Sequence, residues 1–190
     1  MINMNVVYDK VINWNSLRYA RDYNHELSVD LLKEELQEYF DADTDVDRLD
    51  ALCDVVYVAL GVIWKLDVAN EAIVNSESKA HNAVIRMLNN TDSFEPVEIS
   101  SMVLSRFSNT KVVSSHIHNI QMLITLSFAQ ANYNGLTSEE FVEALLVVCD
   151  SNDSKSIKKT DSHIKANAGD KGAYFVPPEP RLQAIIDKGV

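Results

Sequence analysis

The stretch Leu49-Asp50-Ala51-Leu52-Cys53-Asp54-Val55-Val56-Tyr57-Val58-Ala59-Leu60-Gly61-Val62-Ile63-Trp64 decides the fold. Apart from its two aspartates and Gly61, every residue in it is apolar. A helix that is hydrophobic almost all round belongs in the centre of a bundle. Asp50 and Asp54 stand four apart, hence on one face of that helix. An unpaired carboxylate in such a place is costly, or it takes up a proton. Two of them one turn apart call for cations, and few are near in sequence: Arg48 is close, Lys65 several turns away. Either an arginine-paired structural network neutralises them, or they face further carboxylates across a helix pair and bind metal.

The rest of the chain also reads as helical. Val7, Val11, Ile12 and Trp14 suggest a first helix around residues 8–18, and Asn24-His25-Glu26 a break. Ser28 is expected as the N-cap of a second helix, its hydroxyl accepting a free backbone N–H. That helix runs to about Phe40, with Val29, Leu32, Leu36, Tyr39 and Phe40 at spacings of three and four. A polar stretch, 41–45, ends it, and a third helix follows over 47–66. Helices are expected over 70–88, over 97–107 behind Pro96, and over 112–131, with Gly135 as a stop. Thr137 and Glu140 have capping-box spacing, and Leu136 with Phe141 the spacing of a hydrophobic staple, so the next helix should reach about Cys149. Residues 151–171 are polar, 172–180 hold Pro177-Pro178 and should be extended, and 181–187 close with a short helix. The expectation is one all-α domain over 1–190, a bundle of about five to seven helices. It carries an extra helical segment at about 80–130 and an extended C-terminal arm at about 156–190. A faint echo between 54–79 and 118–155 fits duplication or coincidence.

Composition narrows the function. The chain has 190 residues, 46% of them hydrophobic and 24% charged, which suits a folded domain. Five Gly and four Pro are too few for a many-stranded sandwich or barrel. A net charge of -11 repels phosphate backbones, which argues against nucleic acid as a partner. A phosphorylated substrate would then need a recruited metal cation. Cys53 and Cys149 read as buried free thiols in a reducing compartment. Residues 1–5 lack a basic leader and the run 55–64 is too short to span a bilayer, so a soluble, cytoplasmic protein with no membrane partner is expected.

Glu34, Glu35 and Glu38 form an E-E-x-x-E run on the second helix, with Glu38 beside both others. Taken alone, such a run is an acidic, solvated face. Its setting changes this. A short connection makes the second and third helices antiparallel neighbours, which draws Glu35 and Glu38 towards Asp50 and Asp54. Oxygen ligands without His or Cys select Mg²⁺ or Mn²⁺, and an open carboxylate-bound Mg²⁺ suits phosphate chemistry.

Glu34-Glu35-Leu36-Gln37-Glu38, followed by Asp50-Ala51-Leu52-Cys53-Asp54-Val55-Val56-Tyr57-Val58, resembles the MazG-like all-α nucleoside triphosphate pyrophosphohydrolases. That superfamily includes the dimeric dUTPases and the phosphoribosyl-ATP pyrophosphohydrolases. The late elements Ser151-Asn152-Asp153-Ser154-Lys155 and Lys171-Gly172-Ala173-Tyr174-Phe175 resemble its short phage-type members. The superfamily's second motif is usually ExxD; either Asp47-x-x-Asp50 fills it with Asp for Glu, or Asp50 and Asp54 replace it, which leaves the role of Asp47 open. The resemblance implies cleavage of a (deoxy)nucleoside triphosphate to the monophosphate and pyrophosphate, in nucleotide-pool control, by a homodimer or tetramer (in the host cytoplasm if phage-encoded). It implies Mg²⁺, with Mn²⁺ as the alternative, on Glu35, Glu38, Asp50 and Asp54. Glu34 would position or deprotonate the attacking water, Asn152 would hydrogen-bond the nucleotide, Lys155 and Lys171 would contact phosphate, and Tyr174 would cover base or sugar. Asn75 and Lys79 compete with Asn152 and Lys155; the capped helix leading straight into the latter favours them.

His116 and His118, two apart, point to different sides of a helix and do not form a chelating pair. No Walker-type loop and no nucleophile elbow is present. The rival from another class is a helical interaction protein whose acidic cluster is a docking face. It requires Asp50 and Asp54 to be exposed.

Overall fold

The computed structural model describes residues 4–67, 70–90, 94–155 and 171–188, with only the backbone described over 70–76. Eight α-helices and no strand occur among the described residues: α1 (Met4–Arg18), α2 (His25–Asp41), α3 (Asp45–Lys65), α4 (Asn70–Asn89), α5 (Pro96–Asn109), α6 (Val113–Tyr133), α7 (Ser138–Asp153) and α8 (Glu179–Ile186). The fold is all-α, as expected, but eight helices exceed the about five to seven anticipated. Each of the eight falls on a segment whose pattern already suggests a helix, so the difference lies in the summed count and not in where helices form. α4 lies along α6, and α8, only two turns long, is held against α3 and α7.

The apolar helix α3 occupies the centre, packing on α1, α2, α6, α7 and α8. It starts at Thr44, whose hydroxyl oxygen accepts from the Asp47 N–H at 3.1 Å. α2 starts earlier than its sequence suggested. Its N-cap is Asn24, whose side chain accepts from the Leu27 N–H at 3.1 Å, and not Ser28. Ser28 is buried inside the first turn, and its hydroxyl donates back to the Asn24 carbonyl at 2.7 Å. A serine satisfied within the helix has no need to cap it.

The anticipated signals at the other ends are present. Pro96 opens α5, Gly135 follows α6 with φ +94°, and Thr137 and Glu140 form a reciprocal capping box before α7. Leu136 and Phe141 are both buried. α7 runs one turn past Cys149, to Asp153, because its last turn is docked on α1: the Trp14 indole N–H donates to the Asn152 carbonyl at 2.9 Å. Cys53 and Cys149 are buried free thiols, and burial pushes Cys149 up to about 12.

The α2 start is also tied to the α5–α6 corner. The His25 and His116 rings stack at 4.3 Å, and the Tyr23 hydroxyl lies 2.8 Å from His25 Nδ1 and 3.1 Å from His116 Nδ1. His116 Nε2 meets the Thr110 carbonyl at 2.9 Å, whereas His25 Nε2 is 3.4 Å from that of Ser108. Residues 171–178 carry no helix, and 156–170, the rest of the expected arm before α8, lie outside the described residues. No described helix is long and apolar enough to cross a membrane.

Candidate active site

α2 and α3 are joined by residues 42–44 and pack closely along their length. The charge of Glu35 acts most strongly on Asp54, and that of Glu38 on Asp50 among the α2 residues. Pairing that runs down one helix as it runs up the other is the signature of an antiparallel hairpin. At its turn end lies a cleft of about 470 Å³. Glu34, Glu38, Asp41, Asp43, Asp47 and Asp50 line it, with no basic residue among its lining. α2 also ends there with no basic residue in its last turn, although the C-terminal end of a helix favours cations.

The expected metal ligands occupy two levels. Glu38 and Asp50 stand on the cleft wall together with Glu34. Glu35 and Asp54 are not part of its lining and lie further along the hairpin. Burial, followed by the charges of Glu179 and Glu38, raises the Asp50 carboxyl to about 6, against the attraction of Lys155. Asp54 keeps a strip of accessible surface, yet its carboxyl is enclosed by packed atoms. Burial, then Glu35 and Asp50, holds it well above the ordinary carboxylate range. Asp50 Oδ1 is buried and has no hydrogen-bond partner among the described residues. Arg48, the obvious structural counter-ion, pairs instead with Asp45 at 3.0 Å and with the Ala42 carbonyl at 3.2 Å.

This set of donors suits a hard divalent cation such as Mg²⁺: carboxylate oxygens only, one of them an open buried acceptor. Among the described residues no three His, Cys, Asp or Glu side chains are grouped closely enough to hold an ion as they stand. Asp47, whose place in the motif was open, sits at the third position of α3, and its carboxylate accepts from the Thr44 hydroxyl at 2.6 Å.

The late elements divide. Lys155 lies close enough for its charge to favour the ionised forms of both Asp50 and Asp54, and its ammonium donates to Asn152 Oδ1 at 2.6 Å. Asn152 is only 7% exposed. Arg18, itself buried, donates to the Lys155 carbonyl at 3.0 Å and stacks on Trp14. Lys171 and Tyr174 stand in solvent, Tyr174 at 89% exposure, and Lys171 lies over the Phe175 ring. Lys79 is exposed on α4, and the side chain of Asn75 lies outside the described residues. Two neighbours of the site went unread in the sequence, Glu179 and Arg18. Neither sits in a spacing pattern with the carboxylates; only tertiary packing brings them there.

Residues 14–81 match the family model of phosphoribosyl-ATP pyrophosphohydrolase. That family lies within the MazG-like all-α nucleoside triphosphate pyrophosphohydrolases, so the match and the motifs indicate the same superfamily. The matched segment holds Glu34, Glu35, Glu38, Asp50 and Asp54, ends within α4, and supports a pyrophosphohydrolase acting on nucleotides. No curated protein and no solved structure matches the chain.

Proposed function

We propose that this protein is a Mg²⁺-dependent pyrophosphohydrolase of (deoxy)nucleoside triphosphates, releasing the monophosphate and pyrophosphate in nucleotide-pool control. The observation that carries the reading is the α2–α3 hairpin itself. It withdraws Asp50 and Asp54 from bulk solvent against Glu35 and Glu38, with no arginine paired to them, inside the matched segment. A docking face would need those aspartates exposed. Glu35, Glu38, Asp50 and Asp54 would hold the cation, which when bound neutralises phosphate charge and lowers the pKa of a water. Glu34, on the cleft wall, would accept the proton of the attacking water. Asn152 and Lys155 would orient the phosphates beside the carboxylates, with Lys155 exchanging its bond to Asn152 for one to the substrate. Lys171 and Tyr174, exposed in the unliganded chain, would meet the nucleotide from the arm. Water attacks the α- or the β-phosphorus and the bond from that phosphorus to the bridging oxygen breaks: attack at the α-phosphorus expels pyrophosphate, attack at the β-phosphorus expels the monophosphate, and the other product carries the water's oxygen.

A second reading, phosphoribosyl-ATP as substrate, is favoured by the name of the matching family. A panel of (d)NTPs, including dUTP, together with phosphoribosyl-ATP separates the two when assayed with Mg²⁺ or Mn²⁺. Pyrophosphate release from (d)NTPs is expected. Orthophosphate release would place the cleavage at the wrong bond, and no turnover of any nucleotide would favour the docking protein. Light scattering tests the homodimer or tetramer that accompanies this proposal.

A further inference from the structure

The end of α7 carries Asn152 and Lys155, and its backbone is held from the far end of the chain. The Trp14 indole N–H donates to the Asn152 carbonyl at 2.9 Å, the same oxygen that takes the Lys155 N–H at 3.1 Å. Arg18, the last residue of α1, donates to the Lys155 carbonyl at 3.0 Å and to the Trp14 carbonyl at 3.2 Å. Its guanidinium lies 4.3 Å over the Trp14 ring. The Trp14 and Tyr57 rings meet edge to face at 5.7 Å, and Tyr57 follows Asp54 by three residues, one turn along the same face of α3. Two carbonyls of the α7 end are thus fixed against the helix that bears the aspartates. Arg18 is only 6% exposed. Burying a cation is costly, and an apolar side chain could join α1 to α7 as well. What the guanidinium adds is direction: it is flat, stacks on the indole, and reaches two carbonyls with a rigid fork of donors. The C-terminal end of α7 also favours its charge.

We propose that Arg18 is a positioning residue: with Trp14 it fixes the backbone from which the Asn152 and Lys155 side chains spring, so that both meet the phosphates in a set place beside α3. This rests on the reading that Asn152 and Lys155 orient phosphates. It ties the matched segment, residues 14–81, to a late element that lies outside it. Arg18 itself does not touch the substrate. Its donors face backbone oxygens, and it acts through the two side chains whose carbonyls it and Trp14 hold.

The test is a double-mutant cycle on the full chain, with the nucleotide that is turned over fastest. Arg18→Met is expected to raise KM about tenfold, with kcat within about threefold of the parent. Lys155→Met raises KM as well. Because Arg18 acts through Lys155 and Asn152, adding R18M to K155M should raise KM by less than about threefold more. Where R18M does not fold, Trp14→Phe runs the same cycle, since it removes the indole N–H and keeps an aromatic ring against Tyr57. Its own rise in KM is expected to be about threefold, the loss of one hydrogen bond. A full further tenfold in the double variant would mean that Arg18 binds phosphate directly. A lower melting temperature with KM unchanged would mark a purely structural contact. Either result overturns this inference and leaves the pyrophosphohydrolase reading standing. No turnover of any nucleotide by the parent overturns both.

Discussion

At the residue scale the site is governed by the cost of keeping carboxylates charged. Asp54 is enclosed and pushed towards its protonated form, so Asp54→Asn removes a buried like charge. Turnover should be abolished, while the metal-free variant unfolds at the same urea concentration as the parent or a higher one. Loss of folding would instead reveal a structural ion pair. Asp50 gives a pH dependence of definite sign. Its folded value, about 6, lies above the ordinary 3.8, so the folded state binds the proton more tightly than the unfolded chain. This penalty is absent below pH 3.8 and complete above about 6, so metal-free stability falls as pH rises through that window. The loss is on the order of 2 kcal/mol after allowing for the partial exposure of the group. Asp150, held down by Lys10 and Arg181, works the other way, but only below its own ordinary range. Melting in chelator at pH 5 and pH 7.5 measures this effect together with that of Asp54, whose carboxyl is raised for the same reason; Asp50→Asn should reduce the fall without abolishing it, and Mn²⁺ should reverse it.

At the scale of elements, local signals were legible where side chain and backbone satisfy one another within a few residues. Thr137 and Glu140 were read correctly because a capping box is complete in four positions. Thr137→Ala should cost about 1 kcal/mol in urea unfolding, by freeing N–H groups at the start of α7. Asn24 and Ser28 show the limit. Both are capping types, and only the burial of Ser28 against the neighbouring helices decides between them. The last turn of α7 was invisible for the same reason: Ser151 and Asn152 are polar in sequence and buried in fact, because α1 covers them. Asn152 was thus found as a candidate through its motif, but its environment was not.

At the scale of the whole molecule, the central position of α3 followed from its composition alone, and the convergence of α2 and α3 carboxylates from their short connection. The approach of α8 did not, since nothing in Pro177-Pro178-Glu179 specifies which surface the arm finds. Leu182 pins it, being fully buried. Leu182→Ala should cost about 2–5 kcal/mol if α8 unfolds with the bundle, and less if the arm releases first, which calorimetry would show as a separate early transition. The aromatic corner at the start of α2 has a stricter consequence. Tyr23 owns one hydroxyl hydrogen, and two imidazole nitrogens compete for it. His116 must spend its own hydrogen on the Thr110 carbonyl, so in its neutral form it takes the phenol's. His25 must then present Nδ1–H to the phenol oxygen, leaving its Nε2 bare, in keeping with the long 3.4 Å approach to Ser108. Two rings lying face to face therefore exist as opposite tautomers, a difference that nitrogen chemical shifts would read directly, and identical shifts would break the chain of donors.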